Sequence, residues 1–147
     1  MKKFILSLIA LLSAGIASGF GQEAPKEMRL FLLIGQSNMA GRGPVEPQDQ
    51  ATHPRIFMMT KEYEWTPARD PVHFDKPGMA GVGLCSEFAR TLVKADPKIT
   101  AGLIPCAMGG TSLNAWKPGG KLYTNAVVRA REAMKRGSSL AAILWHQ

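Results

Sequence analysis

The sequence predicts an α/β fold, a three-layer sandwich in which a mostly parallel sheet carries helices on both faces. Three observations point there. The short continuous apolar runs "RLFLLI" (29–34), "TAGLIPC" (100–106) and "LAAILW" (140–145) read as strands covered on both sides. Segments with apolar residues at helical spacing precede the second and the third of these runs. Each run also ends in a polar or glycine-bearing turn, "GQSN", "AMGG" and "HQ".

Taken in order, the chain opens with "MKK", the apolar "FILSLIALLSAGIA" and the small residues Ala17, Ser18 and Gly19. These are the charged, apolar and small-residue zones of a secretory signal, so residues 1–21 are expected to be a signal peptide cleaved near 19–21. The apolar run is shorter than the ~20 residues that span a bilayer, and no later stretch reaches that length; a retained anchor is the alternative. The expected destination is the periplasm or the extracellular space, with no membrane partner after cleavage. Residues 22–147 then form the folded part. "RLFLLI" is the first strand, and "RIFMMT" (55–60) is a weaker strand candidate. "EYEWTPARDPVHFDKPG" is so rich in proline that it reads as one long loop. From Val82 to Ala95, Leu84, Phe88 and Leu92 recur at helical spacing beside Ala89 and Val93, and Pro97 closes the helix. A second helix is expected from Leu122 to Arg136, with Ala126, Val127, Ala130 and Met134 on its buried face and Gly137 ending it.

Composition removes several function classes. Hydrophobic residues at 46% and charged residues at 20% describe a globular chain, not a disordered one. The formal charge of +7 falls by two when Lys2 and Lys3 leave with the leader. The remaining Lys and Arg are scattered without aromatic interleaving, so no nucleic-acid partner is expected. Cys85 and Cys106 sit in apolar surroundings and read as two buried thiols, although export to an oxidising compartment leaves a disulfide open. His53, His73 and His146 lie far apart and no CxxC occurs, so no metal site is expected. "GMAGVG" (78–83) lacks a preceding strand and the spacing of a dinucleotide loop, no GxxxxGK[ST] is present, and no cofactor is expected.

In a parallel α/β sheet the ligand site lies at the carboxyl ends of the strands, which sends the three turns to one edge. Ser37, in the first turn, reads either as a helix N-cap or as a nucleophile, and the motif alone leaves both open. "GQSNM" is not the GxSxG elbow, since Met39 stands where the second glycine belongs. Gly109 and Gly110, in the second turn, allow backbone N–H groups to approach a developing oxyanion. In the third turn Gln147 offers a side-chain amide, while His146 and Trp145 read as the strand's own packing.

"GQSNMAGRG", "GLIPCAMGGTSLNAW" and "LWHQ", in this order, resemble the SGNH hydrolases of the sialate O-acetylesterase and carbohydrate esterase family 6 type, as does "WTPARDPVHFDKPGMAGVG" between them. The resemblance implies a flavodoxin-like SGNH fold and a secreted serine esterase that removes O-acetyl groups from sugars, of the sialate O-acetylesterase or acetylxylan esterase type. It matches Ser37 to the nucleophile, and the Ser37 N–H, a glycine N–H from Gly109 or Gly110 and the Gln147 side chain to the oxyanion donors. Gln36, Asn38 and His73 are the substrate-binding candidates, and an acetylated carbohydrate is the expected partner. In the family the third block runs on as GES-D or similar, and a later DxxH supplies the catalytic acid and histidine. Neither is present, so the chain is expected to be the N-terminal part of such a domain and nearly inactive alone. Asp70 and His73 have DxxH spacing but match an upstream loop of the family; His73 is the foremost in-chain candidate for a base, ahead of His53 and His146. The competing reading is a secreted carbohydrate-binding or pseudoenzyme module that keeps the pocket without the chemistry.

Overall fold

The structure, a computed structural model, describes Pro25, residues 27–135 and residues 138–147. The expected signal peptide (1–21) and the expected end of the second helix at Arg136 and Gly137 lie outside the described residues.

Five strands form one sheet in the order β3-β2-β4-β1-β5. They are β1 (Arg29–Gly35), β2 (Ile56–Met59), β3 (Trp65–Pro67), β4 (Ala101–Pro105) and β5 (Ser139–His146). β1 pairs parallel with β4, Arg29 opposite Ala101 and Leu33 opposite Pro105, and parallel with β5, Arg29 opposite Ser139 and Gly35 opposite His146. β2 runs parallel to β4, whereas β3 returns antiparallel to β2 as a hairpin, Met59 opposite Trp65. That hairpin corrects the expectation of one long loop. Three residues ending at Pro67 suffice for an edge strand, where a missing N–H costs nothing in the ladder.

The alternation of β1 divides the core. Phe31 and Leu33 face a cluster with Ile56, Leu103, Ala89 and Val93 on the side of helix α2 (Leu84–Ala95). Leu30 and Leu32 face Phe57, Ile104, Ala126 and Ala130 on the side of helix α3 (Lys121–Met134). The sandwich thus has three layers, as period-2 alternation in a doubly covered strand requires. The buried stripes keep Ala89 and Val93 in α2 and Ala126 and Ala130 in α3, as expected, but their centres differ. In α2 the buried centre is Cys85, Ser86, Ala89 and Val93, and Leu84, Phe88 and Leu92 flank it half-buried. In α3 it is Ala126, Arg129, Ala130 and Ala133, while Met134 is exposed. In α2 Cys85, Ser86 and Ala89 let the helix lie close upon the sheet with the bulkier residues at the margins, and in α3 Ala126, Ala130 and Ala133 do so beside the buried Arg129. The C-terminal end of α2 is held by Arg55, whose guanidinium donates to the carbonyls of Val93, Asp96 and Ile99 at 2.7, 3.2 and 2.8 Å.

Two connections leave neighbouring strands in opposite directions. The chain leaving β1 enters the short helix α1 (Ser37–Ala40), whose Met39 and Ala40 join the α2-side core, on its way to β2. The chain leaving β4 passes through a 3-10 turn, Leu113–Trp116, whose Trp116 joins the α3-side core, on its way to β5. The carboxyl ends of β1 and β4 therefore form a topological switch point, the position at which open α/β sheets bind ligands. β5 corrects the expectation of a strand covered on both sides: it is an edge strand exposed along most of its length, Ile143 and Trp145 included.

Candidate active site

The three turns converge at this switch point. Met108 N–H donates to the Gly35 carbonyl at 3.0 Å, and Gln36 N–H to the His146 carbonyl at 3.0 Å, which ties the ends of β4 and β5 to that of β1. Asn38 Nδ2 donates to the Gln147 backbone carbonyl at 3.0 Å, and Gln147 Nε2 donates to the Thr111 carbonyl at 2.6 Å. Thr111 is fixed in turn, its hydroxyl donating to the Met108 carbonyl at 2.7 Å and accepting from Trp116 Nε1 at 3.3 Å. Ser37, Asn38, the 108–111 turn and Gln147 thus share one edge.

The close pairing of strand ends is possible because residue 35 is glycine. Its φ of +131° disfavours a side chain, and a Cβ there would overlap the His146 carbonyl.

Ser37 is not a helix cap. Gln36 occupies the N-cap position of α1 without a side-chain cap, and Ser37 is the first helical residue. Its hydroxyl donates to Gln36 Oε1 at 3.2 Å. As the first residue of a helix, its backbone N–H points out of the helix end with no carbonyl four residues back to receive it. Gln36 and Asn38, the residues on either side, are thereby committed to the serine hydroxyl and to the Gln147 carbonyl.

Of the two turn glycines, Gly109 donates its N–H to Asp75 Oδ2 at 2.8 Å. The same oxygen accepts from Arg42 Nη2 at 3.0 Å. Burial alone would raise the Asp75 carboxyl, but the Gly109 N–H and the Arg42 guanidinium outweigh it and hold the group below the usual carboxylate range. Arg42 and Asp75 were not among the sequence candidates. Arg42 stands within the quoted "GQSNMAGRG", yet an arginine in a glycine turn carries no signal of its partner, and Asp75 is 33 residues away in a proline-rich loop.

None of the three histidines is hydrogen-bonded to Ser37 among the described residues. His73 is 3% exposed, and its Nε2 lies 3.5 Å from Cys85 Sγ. Burial lowers its pKa to about 4, so it is neutral at pH 7 and a weak base. Asp70 accepts at its backbone carbonyl from Gln50 Nε2 at 2.6 Å, and burial raises its carboxyl above the usual range. The Asp70/His73 spacing brings no hydrogen bond between the two side chains among the described residues. His53 Nδ1 accepts from Arg55 N–H at 3.1 Å just before β2, at the opposite edge of the sheet from Ser37. His146 is an exposed residue of β5. Cys85 and Cys106 are free, buried thiols, pushed up by burial to about 12 and about 11. Among the described residues no three His, Cys, Asp or Glu side chains come together as a metal-binding group, and no helix is long and apolar enough to cross a membrane.

Beside the 108–111 turn, a cleft of about 370 Å³ lies between β4 and α3, lined by His73, Asp75, Met108, Asn125 and Arg129 among others. Arg129 walls it: the guanidinium sits 5.1 Å from the Tyr63 ring and 5.0 Å from the Phe74 ring. Its Nη2 also donates to the carbonyls of Met59 and Thr60 at 3.2 and 2.8 Å, while its buried Nε has no hydrogen-bond partner among the described residues.

A mostly parallel α/β sheet with a serine at the switch point, opposite a glycine turn, defines a class of open α/β folds whose candidate site sits on the strand ends. The family described as carbohydrate esterase, sialic acid-specific acetylesterase, matches residues 27–147, and the chain belongs to that family. A probable carbohydrate esterase of Arabidopsis thaliana is 34% identical over 138 residues, covering 81% of this chain and 53% of the relative. The X-ray structure of an Arabidopsis thaliana protein superposes with a TM-score of 0.73 at 33% identity, covering 83% of this chain and 57% of that one. The crystal structure of NanS superposes with a TM-score of 0.68 at 20% identity over 83% of this chain and 54% of its own, a likeness of fold. The chain spans about half the length of the relatives it matches.

Proposed function

We propose that residues 27–147 carry the nucleophile and oxyanion-binding parts of a serine carboxylic-ester hydrolase that removes O-acetyl groups from carbohydrates. The observation that carries this reading is the meeting of Ser37, the Gly109–Gly110 turn and Gln147 at one topological switch point. In the reaction Ser37 Oγ attacks the acetyl carbonyl carbon, its proton passing to a base, and the base returns that proton to the sugar oxygen, which leaves as the alcohol when the tetrahedral intermediate collapses to an acetyl-serine. Water then hydrolyses that ester and releases acetate. The Ser37 N–H, a turn glycine N–H and the Gln147 amide stabilise the oxyanion, the Gln147 amide turning from the Thr111 carbonyl to do so. The cleft beside the turn, with His73 on its wall, receives the sugar.

A serine hydroxyl is a poor nucleophile without a neighbouring base, and a base typically contributes about 10²- to 10⁴-fold. With the Ser37 hydroxyl donating to Gln36 and the buried His73 facing Cys85 Sγ at 3.5 Å, we expect the 147-residue chain to hydrolyse esters weakly. The test compares the chain as given with a version extended by the downstream half of the Arabidopsis relative, on acetylated xylan, acetylated sialic acid and a long-chain acyl ester. Cleavage of an acetylated sugar that is lost in Ser37→Ala supports the reading. Preference for the long acyl chain, or a rate that ignores Ser37→Ala, defeats it.

A further inference from the structure

Asp75 does more than fill the loop between β3 and α2. Its side chain is wholly buried, and one of its oxygens holds two donors from different parts of the chain, Gly109 N–H and Arg42 Nη2. Arg42 also donates through Nη1 to the Gly41 carbonyl at 2.7 Å, and Gly41 N–H donates to the Ser37 carbonyl at 3.0 Å. An unbroken chain of hydrogen bonds therefore runs from the serine helix through Gly41, Arg42 and Asp75 to the glycine turn. The fit is close at its far end: a Cβ on Gly109 would overlap the Arg42 guanidinium. Gly110 has a different reason to be glycine, a φ of +77°. Its N–H, unlike that of Gly109, has no hydrogen-bond partner among the described residues.

We propose that Arg42 and Asp75 are positioning residues that lock the 109–110 turn to the Ser37 helix, Asp75 taking up the Gly109 amide so that the Gly110 amide is the one presented to the oxyanion. This rests on the esterase reading. A lone carboxylate beside a developing oxyanion would repel it, and the guanidinium at 3.0 Å offsets that charge. The pair can therefore fix a backbone amide without adding net negative charge to the site.

The test has two independent readouts. In the 147-residue chain, amide hydrogen exchange resolved by NMR compares Gly109 and Gly110 in the wild type, Asp75→Ala and Asp75→Asn. Gly109 should exchange about tenfold faster or more once the carboxylate is gone. In the extended protein, steady-state hydrolysis of a small acetyl ester compares the same variants with Arg42→Lys and with Ser37→Ala. For Asp75→Ala, kcat should fall about 10- to 10²-fold with KM within about twofold, because a misplaced donor is felt in the transition state. Asp75→Asn and Arg42→Lys should recover part of that loss, and they stand in for Asp75→Ala if it does not fold. Folded variants with unchanged kcat, a rise in KM alone, or an unaltered Gly109 exchange rate would overturn the proposal. Equal rates for wild type and Ser37→Ala would count against the esterase reading and with it the catalytic half of the proposal. The exchange rates would still decide whether Asp75 holds the turn.

Discussion

Acidification from pH 7 to pH 5 should destabilise the fold through His73. The imidazole is 3% exposed, and its pKa is lowered by burial from 6.5 to about 4. A group depressed on folding contributes stability that is present above its unfolded pKa and lost as the pH falls towards the folded one. At pH 5 the unfolded chain carries a protonated imidazole while the buried ring stays neutral, which favours unfolding by roughly 30-fold, or about 2 kcal/mol. Asp70 works the other way: raised by burial, it contributes stability at low pH that is lost as pH rises through its folded value. Comparison with a variant removes that opposing contribution. Urea unfolding followed by tryptophan fluorescence, at pH 7 and pH 5, should show the wild type losing about 2 kcal/mol more than His73→Gln. Equal losses in the two proteins would mean that His73 is protonated in the fold, and the burial argument would be refuted.

Gly35→Ala should lower stability by about 2 kcal/mol or more in the same urea assay, since the new Cβ meets both a positive φ and the His146 carbonyl. A neutral effect would mean that β1 and β5 do not meet as described. Leu33→Ala, at a fully buried position, should cost about 2–5 kcal/mol; a loss under about 1 kcal/mol would place Leu33 outside the core. Cys85 and Cys106, buried and held as thiols, should resist an aromatic disulfide reagent at pH 8 in the native chain and both react in urea. Rapid labelling of the native protein, or none after unfolding, would contradict that.

The sequence showed most clearly the parts of the fold that depend on local pattern. The runs at 29–34 and 100–106 became β1 and β4 within a residue or two, because continuous apolar character is what a doubly covered strand needs, and the run at 140–145 became β5 although that strand is largely exposed. The helices were placed correctly but their faces were shifted. Periodicity centres the face on the large residues Leu84, Phe88 and Leu92 with Ala89 and Val93 beside them, whereas close packing on the sheet centres it on Cys85, Ala89 and Val93. β3 was hidden by Pro67, since an edge hairpin is fixed by its partner strand and not by its own propensity. The convergence of Ser37, Gly109, Gly110 and Gln147 followed from topology and was legible. The Arg42–Asp75 pair was not, because two loops far apart in sequence meet only after the sheet has assembled. The glycines of "GMAGVG" have a reason of the same kind: Gly81 and Gly83 lie against Gly41 and Gly43, where Gly43 and Val82 form a β-bridge.

Covalent trapping shows whether Ser37 is the nucleophile of an acetyl esterase. The chain extended with the downstream half of the Arabidopsis relative, and its Ser37→Ala variant, are incubated with a fluorophosphonate, digested and read by mass spectrometry. A single adduct is expected on the peptide bearing Ser37, absent from Ser37→Ala, with loss of acetyl-ester hydrolysis in proportion to labelling. Hydrolysis that survives in Ser37→Ala, or an adduct on another residue of an active protein, would contradict that role.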